Sequence, residues 1–111
     1  MGKKSRTYSN QTSAALKLLA SLIKTARKRK RWSESELAER CNTTRATVRK
    51  VEQGNPSTAI GLYFEAASLL GIPLIAEDSG KLSELQHRVN LELSVLPQRV
   101  RKGSEEVFDD F

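Results

Sequence analysis

Arg45, Ala46, Arg49 and Lys50 recur at a spacing that places them on one side of a helix, opposite Val48 and Val51. An arginine there can donate two parallel N–H bonds to N7 and O6 of guanine, while a small residue such as Ala46 lets a helix approach base edges or touch a thymine methyl. Arg49 and Lys50 suit phosphate contacts, which position a helix without conveying sequence. Catalytic chemistry finds much less material. His87 is the single histidine and Cys41 the single cysteine, far apart in sequence. No phosphate-binding glycine loop and no metal-ligand spacing occurs. Glu34, Glu36 and Glu39 fit the solvated start of a helix better than an acid–base pair. The expectation is a binding protein, with no catalytic residues, metal or cofactor.

The charge distribution points the same way. Residues 1–55 hold fourteen Lys or Arg against four acids, and residues 56–111 hold five against nine, within a formal net charge of +6. A basic half suits nucleic acid, a membrane surface or an acidic protein, and spacing has to decide among them. Single-stranded RNA would call for exposed aromatic platforms, which the sequence lacks. One cysteine permits neither an internal disulfide nor a cysteine zinc site and suits a reducing cytoplasm. The basic N-terminus is followed by no apolar h-region, and no stretch approaches about 18 apolar residues, so neither export nor a membrane partner is expected.

These residues need helices to position them. Residues 1–12 read as a disordered basic arm. From Ser13, the residues Ala15, Leu18, Leu19, Leu22, Ile23 and Ala26 fall on one helical arc, ending in the cationic run Arg27–Arg31. Ser33 predicts the cap of a second helix with Leu37, Ala38 and Cys41 inward, and Asn42 a left-handed stop. Thr43 or Thr44 caps a third helix closed by Gly54. Two short helices across such a turn form a helix-turn-helix. Ser57 or Thr58 is expected to cap a fourth helix carrying Ile60, Leu62, Phe64, Ala67, Leu69 and Leu70, ended by Gly71. The apolar run Ile72–Ala76, with Pro73, predicts a short strand, and its simplest partner is a second copy, so Ile72, Leu74 and Ile75 are the expected dimer contacts. Ser83 and Gln86 have capping-box spacing for a last helix with Leu85, Val89, Leu93 and Leu96 on one face, ended by Pro97. The remaining tail sets Phe108 and Phe111 among Asp109, Asp110 and other acids, a composition suited to ordering on a partner.

Residues 21–76 resemble the Cro and phage-repressor helix-turn-helix family. The likeness rests on Trp32 to Arg40 as the first motif helix and on Arg45-Ala46-Thr47-Val48-Arg49-Lys50-Val51-Glu52-Gln53-Gly54 as the recognition helix. It implies a mainly α, lambda-repressor-like domain of four to five helices, with Thr44, Arg45, Ala46 and Lys50 at base-contacting positions and Arg27 paired with Glu52. Two departures matter. Glu34 stands where the family usually has a phosphate-touching Gln, so an acid there would repel DNA, and Asn42 replaces the turn glycine.

A narrower resemblance, to HipB antitoxin-repressors, rests on Leu70 to Ile75 and on Leu96 to Arg101 leading to Val107-Phe108-Asp109-Asp110-Phe111. It implies a homodimer with a strand paired across the two-fold, operator DNA as ligand, and a HipA-type kinase toxin as partner, in some relatives with a separate small toxin-subdomain protein. The tail would then touch the toxin. The rival reading is a phage-type or stand-alone repressor without a toxin. The expected organisation is an arm at 1–12, a DNA-binding and dimerisation domain at 13–78, a helix at 79–96 and an acidic-aromatic tail at 97–111.

Overall fold

The computed structural model describes residues 6–100. These contain five helices and no strand: α1 (Asn10–Arg29), α2 (Glu34–Arg40), α3 (Arg45–Glu52), α4 (Ile60–Leu69) and α5 (Ser79–Val95). The chain divides between Leu74 and Ile75 into two units.

In the first unit, local chemistry sets most helix ends. The Ser9 side chain accepts from the Thr12 N–H, so α1 begins inside the expected arm, three residues before Ser13. The Ser33 hydroxyl accepts from Glu36 N–H at 3.0 Å and the Glu36 carboxylate accepts from Ser33 N–H at 2.7 Å, a complete capping box for α2. Asn42 takes φ 55°, the left-handed stop expected of it. Thr44 then caps α3 by accepting from Thr47 N–H. Gly54 ends α3 at φ 73°, and a Cβ there would lie 3.4 Å from the Lys17 Cα. Glycine meets both the backbone angle and the close approach of α1.

The core joins Ile23, Leu37, Ala38, Cys41, Val48, Val51, Tyr63, Ala66 and Leu70. On α1 the buried side is carried by Ala20, Ile23 and Arg27, with Leu16, Leu19 and Ala26 packed beside them. The expected arc is therefore rotated: Leu18 is 61% and Leu22 46% exposed, and Ala15 is exposed too. Small Ala20 and paired Arg27 permit the close approach that larger leucines on that side would block.

Further expectations need correction. The first residue before α4 is Ala59, which makes no side-chain cap bond. Ser57 instead donates its N–H to the Asn55 side chain at 2.7 Å, and the Tyr63 hydroxyl donates to the Asn55 carbonyl at 2.7 Å, so the loop is tied down through Asn55. On α4, Tyr63, Ala66 and Ala67 are buried, as is Leu70 just after it, whereas Ile60 and Phe64 are exposed. Gly71 closes the helix as expected, at φ 76°, with Ile72 N–H donating to the Ala67 carbonyl at 2.8 Å. Ile72–Ala76 then forms no strand, because a strand exists only as part of a hydrogen-bonded ladder, and Pro73 brings no N–H to one.

In the second unit, Asp78 caps α5 by accepting from Lys81 N–H at 2.8 Å, so the helix starts well before Ser83, which lies within it. None of its residues is buried. Leu82, Val89, Leu91, Leu93 and Val95 are all exposed. No described helix is long and apolar enough to cross a membrane.

Candidate nucleic-acid interface

The third helix is amphipathic in a way that assigns its two sides. Val48 and Val51 are each 3% exposed and face the core, while Arg45, Ala46, Arg49 and Lys50 lie together on the open side. Thr44, at the helix start, is exposed and exchanges a hydroxyl hydrogen bond with Thr47 at 3.0 Å. The spacing in the sequence thus brings all five candidate residues to one surface. Beside it, Thr47, Lys50, Asn55, Ser57 and Thr58 line a shallow depression.

What holds this surface in register is a buried ion pair. Arg27 of α1 donates through Nε to Glu52 Oε2 at 2.7 Å and through Nη2 to Glu52 Oε1 at 3.0 Å, the two-pronged geometry that suits guanidinium and carboxylate. Its Nη1 donates to the Trp32 carbonyl at 2.8 Å. The arginine thereby ties α1, the end of α3 and the loop before α2 in one set of bonds. The two side chains are only 8% and 3% exposed, and Glu52, chiefly through its hydrogen bond, raises the Arg27 pKa further. The pair implied by the family resemblance is present. Trp32 packs against the core and lies under the Arg40 guanidinium at 4.2 Å and the Lys30 ammonium at 5.4 Å.

A second ionic cluster sits on the open side. One carboxylate oxygen of Glu34, at the start of α2, accepts from Nε of Arg45 at 3.1 Å and from Nε of Arg49 at 3.3 Å. The hydrogen bond from Arg45, then that from Arg49, holds the Glu34 carboxyl below its ordinary range. Taken alone, Glu34 is a solvated acid at a helix start that would repel DNA. The available signal was two arginines one helical turn apart, facing an acid at the mouth of the preceding helix.

The remaining candidates are less concentrated. Ile72 is half-buried against its own core, whereas Leu74 and Ile75 are 36% and 63% exposed. Phe108, Asp109, Asp110 and Phe111 lie outside the described residues. Cys41 is buried, and burial pushes its thiol up, toward the neutral form of a core residue. Among the described residues no group of three His, Cys, Asp or Glu could hold a metal ion.

Residues 23–75 match the family model described as Helix-turn-helix, of the Cro/C1 type, from the middle of α1 to just beyond α4. The matched segment contains both the buried ion pair and the open side of α3. A match of this kind supports a DNA-binding transcription regulator. No curated protein and no solved structure matches the chain.

Proposed function

From a helix-turn-helix domain on residues 23–75, we propose that the chain is a dimeric, sequence-specific transcriptional repressor that inserts α3 into the major groove of its operator. The observation that carries this reading is the basic open side of α3, registered against α1 by the buried Arg27–Glu52 pair. Arg45 reads a base edge with its guanidinium fork, and Thr44 and Ala46 allow close approach beside it. Arg49 and Lys50 engage phosphates. A single such helix spans too few base pairs for specificity, so a second copy is required. The exposed apolar side chains of Leu74 and Ile75 supply the contact.

The test is selection from a duplex library with a randomised core of about 20 base pairs. A palindrome with half-sites one helical turn apart, or a multiple of it, is expected. A single asymmetric half-site sinks the dimer, and no enrichment sinks the reading. Leu74→Asp should weaken self-association and operator affinity together, read by sedimentation and by binding to the selected duplex.

The narrower assignment, a HipB-type antitoxin that represses the operon of a HipA-type kinase toxin, rests on the resemblance at residues 70–75 and 96–111. The tail residues Phe108, Asp109, Asp110 and Phe111 are the proposed toxin contact, with aromatic anchors set among acids. Deleting residues 103–111 should leave operator affinity intact and weaken a co-expressed toxin complex in a pull-down. A complex of undiminished strength moves that contact elsewhere.

A further inference from the structure

We infer that Glu34 is a specificity-determining positioning residue: it restrains Arg45 and Arg49 through their Nε atoms, offsetting their charge toward random phosphates while leaving the guanidinium forks free, that of Arg45 for a base edge and that of Arg49 for an operator phosphate. The inference rests on the DNA-binding reading above and deepens it.

The geometry separates two kinds of contact. Both ion pairs use the same Glu34 oxygen and the Nε of each arginine, at 3.1 Å and 3.3 Å. Among the described residues nothing accepts from the Nη1 or Nη2 atoms of Arg45 or Arg49. Guanine recognition uses parallel donors of the guanidinium edge, so Arg45 can make it through its terminal nitrogens and keep its bond to Glu34. A random phosphate can take the same fork, but it is an anion whereas a base edge is neutral, so it depends more on the net positive charge that Glu34 offsets. It attracts the whole cation, and must do so against a carboxylate already bound to both arginines and itself repelled by the duplex. Restraint has a second effect. A free arginine side chain carries substantial rotamer freedom that binding removes. Holding Nε in place removes part of it beforehand.

The stability of the fold does not explain the cluster. The arginine side chains are 59% and 58% exposed and that of Glu34 24%. Pairs this open add little to folding. Nor is Glu34 required to cap α2, since Ser33 and Glu36 complete that cap between themselves.

The experiment compares the full chain with Glu34→Gln and with Glu39→Gln. Glu39 is an exposed acid of the same helix, so both variants lose one negative charge from α2. The probes are a duplex recovered by selection and a scrambled duplex of equal composition. Glu34→Gln should raise affinity for the scrambled duplex and lower the selected-to-scrambled ratio about threefold to tenfold. Its salt slope on the scrambled duplex should steepen by about 0.9 for each arginine released to a phosphate. Glu39→Gln should leave the ratio unchanged, and the melting temperature of either variant should move by no more than about 4 °C. Equal effects of the two variants would overturn the inference, because Glu34 would then count only as charge. An unchanged ratio in Glu34→Gln overturns it too, as does equal weakening on both duplexes. A wild-type chain that does not distinguish the duplexes at all removes the DNA-reading proposal itself, and this inference with it.

Discussion

The third helix is held by two arginine–glutamate systems, one at each side, that differ in burial and in geometry, a two-pronged pair inside and two arginines sharing one carboxylate oxygen outside. On the inner side Arg27 grips Glu52 with side chains 8% and 3% exposed. On the outer side Glu34 touches Arg45 and Arg49, whose side chains are more than half exposed. Water screens the outer cluster, so its rearrangement costs little. The inner pair has lost its water, and removing one partner would strand a charge in the core. The same chemistry therefore serves as a structural register inside and as an exchangeable contact outside. A reading surface needs both: a helix that does not shift, and side chains that can trade one anion for another.

The comparison breaks first at Arg27. Arg27→Ala should cost about 3–5 kcal/mol in urea unfolding, because Glu52 is left buried without its cation. The double replacement Arg27→Met with Glu52→Met should recover most of that loss. Should Arg27→Ala prove as mild as an exposed substitution, the distinction between the two clusters disappears. A smaller effect is expected at the helix that carries Glu34. Ser33→Ala removes the hydroxyl that caps α2 and should cost about 1 kcal/mol. Calorimetry would show it as a modest fall in melting temperature. Lys50→Ala sharpens the outer side alone. Stability should stay within about 0.5 kcal/mol, while the slope of log affinity against log salt flattens by about 0.9. The smallest effect is acid titration of the outer cluster. The folded-state pKa of Glu34 lies below its ordinary value of 4.5, so its contribution is present above that pH and is lost as pH falls through the lower, folded value. The stability difference between wild type and Glu34→Gln should close in that acid window, and a difference that persists there would assign it to something other than the ion pairs.

How far these features were legible in the sequence depends on how local their physics is. Ser33, Thr44, Asn42 and Gly54 announce the ends of α2 and α3, because each acts on backbone within a few residues of itself. The reading surface followed from the same local pattern, with Val48 and Val51 marking the inner side. The face of α1 was not legible, because Leu18 and Leu22 are as apolar as Leu16 and Leu19. What selects the buried side is the fit of Ala20 and the destination of Arg27, both set by helices distant in sequence. The start of α4 was obscured for a related reason. Asn55 organises that loop partly through Tyr63, eight residues onward, and leaves Ser57 and Thr58 outside the helix start. The start of α5 is ambiguous in the sequence because Asp78 and Ser83 are both acceptable caps, and spacing alone favours the later one. Glu34 was visible as an acid in an unfavourable place, but its two arginine partners depend on how α2 and α3 cross.

The central claim is that the open side of α3 reads sequence rather than merely attracting DNA. It is tested most directly by measuring wild type and Arg45→Ala, at a single salt concentration, on a duplex recovered by selection and on its scrambled counterpart. A loss of about 1–3 kcal/mol on the selected duplex, roughly fivefold to 150-fold in affinity, with near-unchanged binding to the scrambled one, is the result this account predicts. Equal losses on the two duplexes would contradict it, and would make Arg45 one more cation in a non-specific patch.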